Sequence, residues 1–316
     1  MGGYRAGYPR GGIAYGEDAA WPADFAARFI QRLADRHHGL QLIGGELHAN
    51  SQHKERNVNC DQTSCTTGIR VDDVKAPYAA PNPQLVEDLV LANHILFDQG
   101  VVDAFGHVSV RHDRCADRFL LARNMAPGQV TAEDVIEFTL DGAALNAVGR
   151  KVYLERFIHG EIYRAFPQVR AVVHSHSPAI VPLTISRRSP LRAVFHMAGF
   201  IGTAAPVFEI RDVAGEDSDL LIRDNRLGAA LARHFESSAI VLMRGHGSTI
   251  VAGSVQQAVY RAVYAEANAR CQITAEQLGE VTYLTEAECR ACVESHEAQV
   301  QRPWDMWKQQ ARAKRC

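Results

Sequence analysis

No uninterrupted apolar run in the chain approaches the roughly 20 residues that a membrane-spanning helix needs, which argues against a membrane partner. Charge of one sign is missing too. The 34 Lys and Arg stand against 36 Asp and Glu, and a net charge of −2 gives no global field for nucleic acid or an anionic lipid surface. A small-molecule partner is the better default. The opening residues, MGGYRAGYPRGGIAYGED, lack the apolar centre of a secretory signal, so a cytoplasmic location is expected. Cysteine is sparse: seven residues, an odd count, do not make a disulfide framework in a chain of 316. Cys60 and Cys65 have the wrong spacing for half a zinc site, and Cys289 and Cys292 fall in a helical run, so both pairs read as free thiols. No internal repeat is present.

What is there is an apolar fraction of 47%, enough for a substantial core, distributed with clear periods after residue 80. Residues 1–80 read as an irregular N-terminal extension, with one amphipathic stretch around Phe25, Phe29 and Leu33 and a polar segment from His48 to Asp73. A domain is expected over 81–316. Asn82-Pro83 places a capping residue before a proline, and a helix follows with Leu85, Leu89 and Leu96 on one stripe, ending at Gly100. The period then changes to two: His107–Arg111 and Phe119–Arg123 read as adjacent strands, and Thr131 with Asp134 opens a short turn before a strand over Val135–Leu140 and the Asp141-Gly142 turn. Helical spacing returns over Val152–Phe166 and stops at Pro167. Val169–His174 is a strand, Ala239–Met243 is a buried strand, and Ser248–Val251 is another. Ser254 opens the longest helix, to Gly279, and one further helix is expected from Thr285 toward Trp304. Strands and helices mix without strict alternation, which predicts an α/β layer fold with a largely antiparallel sheet.

The chemistry concentrates in four residues. His174 and His176 end a strand two positions apart, so both imidazoles project to one face and can converge on one ion. A lone His-x-His pair is a weak signal. His246 adds to it, because it sits between Gly245 and Gly247 after another buried strand, where glycine lets the backbone turn tightly enough to aim the ring inward. Three imidazoles suit Zn²⁺, Mn²⁺ or Fe²⁺ and leave positions open for a substrate. Glu155, on the helix before the histidine strand, can face the same pocket as ligand or proton carrier.

From about residue 83 to 300 the chain resembles the class II aldolase/adducin family. Phe105-Gly106-His107-Val108-Ser109 is similar to that family's "GNVS" turn, Glu155 to its acidic residue, His174-Ser175-His176 to its "H-x-H", and Arg244-Gly245-His246-Gly247 to its "HG" turn. The resemblance implies a single three-layer αβα domain and a divalent ion held by His174, His176, His246 and Glu155. It also implies a homotetramer, in which the segment around Tyr283, Trp304 and Trp307 either docks on its own chain or reaches a neighbour's pocket. The last basic residues, Arg312, Lys314 and Arg315, read as a solvated tail.

Where sugar-phosphate members carry a "TPSG"-like turn and an "SS" pair, this chain has Ala122–Gly128 and Tyr153-Leu154, and His107 replaces the asparagine of "GNVS". Loss of small hydroxyl donors removes a phosphate cradle, while Arg123, Tyr153 and His107 point to a carboxylate and a planar ring. The run from Tyr153 through His159 to Tyr163, and the stretch around His196, are most similar to the members that decarboxylate hydroxylated aromatic or pyridine carboxylic acids. The implied activity is a metal-dependent carbon–carbon lyase that releases CO₂, with Glu155 catalytic and His107, Arg123, Tyr153 and His196 on the substrate. Arg123 and Arg244 also have a plainer reading as ion-pair partners of nearby carboxylates, and His196 as a packed aromatic neighbour. Other implied readings are an aldolase acting on an unphosphorylated hydroxy-keto acid, an iron-dependent oxygenase, and a binding module of the adducin kind, against which the retained histidines count.

Overall fold

Helix α1 (Pro83–Asp98) starts where the sequence places it: the Asn82 side chain accepts from the Gln84 amide at 2.9 Å, and proline occupies the first turn, where its missing N–H costs nothing. The computed structural model describes residues 79–315. The amphipathic stretch around Phe25, the polar segment from His48 to Asp73, and Cys60 with Cys65 lie outside the described residues.

Strands β1 (His107–Arg111), β2 (Arg118–Ala122) and β3 (Val135–Thr139) form the expected meander. Helix α2 (Arg156–Ala165) crosses to β4 (Ala171–Ser175). After α3 (Ile180–Ile185), β5 (Val207–Phe208), α4 (Arg211–Ala214) and α5 (Asn225–Ala232), the chain forms β6 (Ile240–Met243) and β7 (Gly247–Ala252). Helices α6 (Val255–Leu278), α7 (Glu286–His296) and α8 (Gln301–Ala313) complete it. The sheet has seven strands in the order β3-β2-β1-β4-β7-β6-β5, antiparallel throughout except for the β5–β6 pair.

Alternation along the strands divides the interior between two faces. Val108, Val110, Ala171, Val173, Ile250 and Ala252 pack toward α1, α6 and α8, whereas Phe119, Phe138, Val172, Val241 and Val251 pack toward α2 and α5. This is the three-layer arrangement, with β4 at its centre. Among the described residues no helix is long and apolar enough to cross a membrane.

Three expectations are corrected. The helix read over Val152–Phe166 starts only at Arg156: Arg156 Nε donates to the Gly142 carbonyl at 2.6 Å, its guanidinium also bonds the Tyr153 carbonyl, and Val152 and Tyr153 precede a turn at Leu154-Glu155 instead of continuing the helix. The helix expected from Thr285 toward Trp304 breaks into α7 and α8 around a 3₁₀ turn at Glu297–Gln299, and Pro303 falls in the first turn of α8, where it is tolerated. Arg312, Lys314 and Arg315 are not a solvated tail. Arg312 pairs with Glu87, and Lys314 and Arg315 reach Asp98 at 3.3 and 3.1 Å. Exposed pairs of this kind contribute little each; docking comes from Trp304, Trp307 and Ala311, which occupy one face of α8 and are buried in the core.

Arg111 ties α2 to the sheet. Its side chain is buried, and its guanidinium donates to the carbonyls of Val169, Ala116, Tyr163 and Phe166 at 3.0, 2.6, 2.5 and 3.1 Å. Replacing it by Met keeps the aliphatic stem but removes the guanidinium donor from the carbonyls of Val169, Ala116 and Tyr163, whereas that of Phe166 keeps the Val169 amide. With about 1–3 kcal/mol for each buried group left unpaired, Arg111→Met is expected to lower the unfolding free energy in urea by at least about 3 kcal/mol. A change below about 1 kcal/mol would show that Arg111 is dispensable to the fold.

Candidate metal centre

The centre grows out of one rung of the sheet. His107 on β1 lies opposite His174 on β4, and His174 lies opposite Thr249 on β7, so three neighbouring strands place these side chains in a row on the α2 face. His176 follows just beyond the end of β4. The β6–β7 turn supplies His246, and both of its glycines are needed as expected: Gly245 has φ +66°, and a Cβ on Gly247 would drive into the Ser175 carbonyl. Glu155 comes from the N-cap position of α2 but caps nothing there. Its Oε1 instead accepts from the Ile222 amide at 2.9 Å, which leaves Oε2 turned to the histidines, 3.5 Å from His246 Nε2 and 3.7 Å from His174 Nε2.

Ligand atoms of Glu155, His174, His176 and His246 all lie within 4.8 Å of one another. The Nε2 atoms of His174 and His246 stand 3.2 and 2.9 Å from that of His176. Two of the tautomers follow from the surroundings. His246 Nδ1–H donates to the Leu220 carbonyl at 3.0 Å. His174 Nδ1 meets Thr249 Oγ1 at 3.2 Å, and because that hydroxyl gives its own hydrogen to Met243 Sδ, its oxygen accepts from Nδ1–H. Both rings therefore turn a bare Nε2 lone pair inward. Burial lowers the pKa of all three histidines, so none is an imidazolium, and the one N–H of neutral His176 can satisfy at most one of the two facing lone pairs. At least one lone pair is left facing another ring nitrogen at this range, an arrangement that a cation between them relieves. The donor set of three imidazoles and one carboxylate fits a divalent ion of the zinc or manganese type.

Burial also pushes the Glu155 carboxyl up to about 7, against the pull of the Ile222 amide and the Arg223 charge. The backbone that orients Glu155 and His246 is the single segment Leu220–Ile222, and Leu220 holds φ +69°, a left-handed conformation that a leucine adopts only under constraint.

Of the expected substrate residues, His107 and Tyr153 stand beside the cluster: the His107 ring packs at 5.0 Å on His174 and 4.7 Å on Tyr153. Tyr153 donates to the Met125 carbonyl, and burial raises its pKa to about 12. Arg123 is near enough for its charge to act on that phenol, but its Nε is paired with Asp134 at 2.6 Å. Arg244 pairs with Glu209 at 2.5 Å. His196 is not brought into the four-residue group; it belongs to a 3₁₀ segment, His196–Ile201, and its ring meets His296 at 4.6 Å. The positioning roles of Thr249 and Leu220–Ile222 escape the sequence reading, since backbone and cross-strand contacts carry no motif.

The profile of the family "Class II Aldolase and Adducin N-terminal domain" matches residues 87–273. Decarboxylase tropJ of Talaromyces stipitatus is 38% identical over 245 residues, covering 70% of this chain and 92% of that protein. The 3,4-dihydroxyphthalate decarboxylase of Arthrobacter keyseri is 30% identical over 191 residues, 56% of this chain and 73% of its own. Among solved structures, L-fuculose 1-phosphate aldolase from Glaciozyma antarctica superposes with a TM-score of 0.59 at 22% identity, over 72% of this chain and 88% of that one, a likeness of fold.

Metal titration into metal-free protein is expected to raise the melting temperature, with one divalent ion bound per chain; at one hundred times Kd the stabilisation is about 2.7 kcal/mol. His246→Ala should abolish both the shift and the stoichiometric binding, and an unchanged shift in that variant would refute the site. The metal-free protein also has a definite response to acid. Burial depresses His246 to about 4 and His159 to about 3, so the unfolded chain takes up protons that the folded chain does not. Stability from these groups is complete above pH of about 6.5 and is lost as pH falls toward 4, at up to about 1.4 kcal/mol per pH unit for each. Glu155, raised when folded, acts in the opposite sense between about pH 4.5 and 7, but one carboxyl does not outweigh several histidines. Urea unfolding at a series of pH values should show this decline; a flat profile would contradict it.

Proposed function

The chain belongs to the class II aldolase and adducin family and is a lyase of that lineage, and from this premise we propose that it uses a divalent metal ion to release CO₂ from a hydroxylated aromatic carboxylic acid. Two named decarboxylases among its relatives support the reaction, and the side chains beside the cluster support the substrate class. His107, Tyr153 and Phe105 supply flat, partly aromatic surfaces where a phosphate would need small hydroxyl donors, and Phe105 lies 6.4 Å from His176. The single observation that carries the reading is a buried carboxyl, Glu155, held against three inward-facing imidazoles.

Zn²⁺, Mn²⁺ or Fe²⁺ held by His174, His176 and His246 would supply a Lewis acid that draws electron density toward the substrate oxygens as the carbon–carbon bond weakens, with Glu155 acting beside it as the proton carrier. The protein does the rest. His107 and Tyr153 orient the ring, and the buried strands exclude water from the reacting face. As the ring carbon loses CO₂ it keeps the electron pair of the broken bond, and Glu155 delivers a proton to that carbon from Oε2, its Oε1 being fixed by the Ile222 amide. Burial favours the protonated carboxyl that this role requires, and solvent restores the proton after turnover. We extend the proposal to a homotetramer, supported by the 67% exposure of Phe105 beside the centre, an apolar surface suited to cover by another subunit.

Purified full-length chain loaded with Mn²⁺, Zn²⁺ or Fe²⁺ is expected to release CO₂ from one or more hydroxyphthalate-like or hydroxybenzoate-like acids. Glu155→Gln should lower kcat by roughly 10²- to 10⁴-fold. Pyruvate or aldehyde release without CO₂ would replace this reading with an aldolase, and O₂ uptake would replace it with an oxygenase.

A further inference from the structure

His174 and His246 are each braced at Nδ1, by Thr249 Oγ1 and by the Leu220 carbonyl. His176 is not: among the described residues nothing bonds its Nδ1. It lies one residue past the end of β4, so its position depends on the backbone that follows. That backbone turns at Pro178 and Ala179 into α3. Pro178 has no N–H to offer. The donors on either side of it both reach one atom, Oε2 of Glu266 on α6: Ser177 Oγ donates to it, and the Ala179 amide does so at 3.2 Å. A backbone amide only donates, and Arg270 takes the other carboxylate oxygen at 2.7 Å, so Oε2 is the acceptor for both.

Glu266 is the one acidic residue that α6 buries, among Ala262, Ala265 and Ala269. Burying a carboxylate has a desolvation cost that an apolar side chain of the same volume would not have. The pair with Arg270, whose side chain is 63% exposed, offsets little of it. What Glu266 does that a leucine could not is grip the turn after His176. The grip extends along α3. The Ser177 carbonyl accepts from the Ile180 and Val181 amides at 3.0 and 3.1 Å and so starts that helix. Near its other end Thr184 Oγ1 gives its hydrogen to the Val181 carbonyl at 2.7 Å and accepts from the Gly245 amide at 3.0 Å. One end of α3 is thus pinned next to His176 and the other next to His246.

We propose that Glu266 is a positioning residue for the metal centre: through Ser177 and Ala179 it fixes α3, and α3 sets the spacing between His176 and His246. The proposal rests on the reading of the four-residue cluster as a metal centre. It gives a role to a side chain in the helical layer on the other side of the sheet from α2, which carries Glu155. Without the carboxylate, the Ser177 hydroxyl and the Ala179 amide lose their common acceptor in a buried place, and α3 is free to shift against β4. His174, inside β4 and bonded to Thr249, does not depend on this frame.

The test has two arms. In the first, Zn²⁺ affinity of the full-length chain is measured by competition with a chelator. Glu266→Leu keeps the volume and removes the acceptor, and it should weaken zinc binding by roughly 10- to 100-fold. Glu266→Gln, whose amide oxygen accepts from both donors, should restore most of the affinity. Ser177→Ala, which removes one donor and little volume, should fall between the two, and it decides the matter should Glu266→Leu fail to fold. Unchanged affinity in Glu266→Leu or, in its place, in Ser177→Ala overturns the proposal, as do equal losses in Glu266→Leu and Glu266→Gln. In the second arm, hydrogen exchange in the metal-free protein should show the Ala179 and Gly245 amides exchanging faster in Glu266→Leu while those within β4 and β7 keep their wild-type rates. Faster exchange throughout the sheet would mean general destabilisation and would overturn the positioning role. Absence of zinc binding by the wild-type chain removes the metal reading and the proposal with it, whereas wild-type binding with an unaffected Glu266→Leu removes the proposal alone.

Discussion

Three ring nitrogens brought to about 3 Å from one another are the constraint around which this chain is arranged. Three neutral imidazoles gain at most one hydrogen bond from such an approach, so the fold has to hold them there. It does so with its most rigid part, the central strand β4, which is paired on both sides, and the tight turn into β7, which is closed by a glycine lying against the Ser175 carbonyl. The stability that keeps His174, His176 and His246 in place comes from the apolar layers on either side of the sheet. The polar rung is supported by the core rather than contributing to it.

Helix α2 has two tasks. Its apolar residues Ile158 and Ile162 are fully buried, which fixes its height above the sheet. Its polar stripe, facing β1, then delivers Glu155 to the histidines at one end and a buried hydrogen-bonded seam, His159 and Tyr163 with Ser109, at the other. Because both stripes belong to the same pair of elements, a shift of α2 that disturbed the seam would also move the carboxyl. The distorted backbone at Leu220 belongs to the same economy: one short segment uses an amide to aim Glu155 and a carbonyl to aim His246.

Much of this is legible in the residues, and what is not has physical causes. The three histidines and Glu155 stand out because they follow strands and a helix whose periods are clear, and because His246 lies between two glycines. The antiparallel meander and the long helix α6 follow from the same periods, and the family assignment agrees with the fold. Residues 178–238 show no legible element in the sequence, since α3, α4, α5 and β5 span eight residues or fewer and are too short to express a period. The start of α2 is not legible because Val152–Leu154 fit a helical spacing, while the Tyr153 carbonyl there is bonded by Arg156. Basic residues near the end of the chain looked solvated because a sequence does not reveal that Glu87 and Asp98, more than two hundred positions away, lie beside them. The polar stripes at 107, 109 and 111 and at 155, 159 and 163 were present to be read; only their meeting across the sheet gives them meaning.

Carbon–carbon cleavage leaves an electron pair that must be stabilised and then protonated, and the proposed reaction would draw on few groups for both: a ligand set for a cation and a carboxyl whose pKa burial raises to about 7. Everything functional depends on the first of these. X-ray absorption on zinc-loaded full-length protein tests it most directly. The account predicts a first coordination shell containing three imidazoles and at least one oxygen, reduced to two imidazoles in His176→Ala. A shell containing sulfur, or fewer than three imidazoles in the wild-type protein, would contradict it.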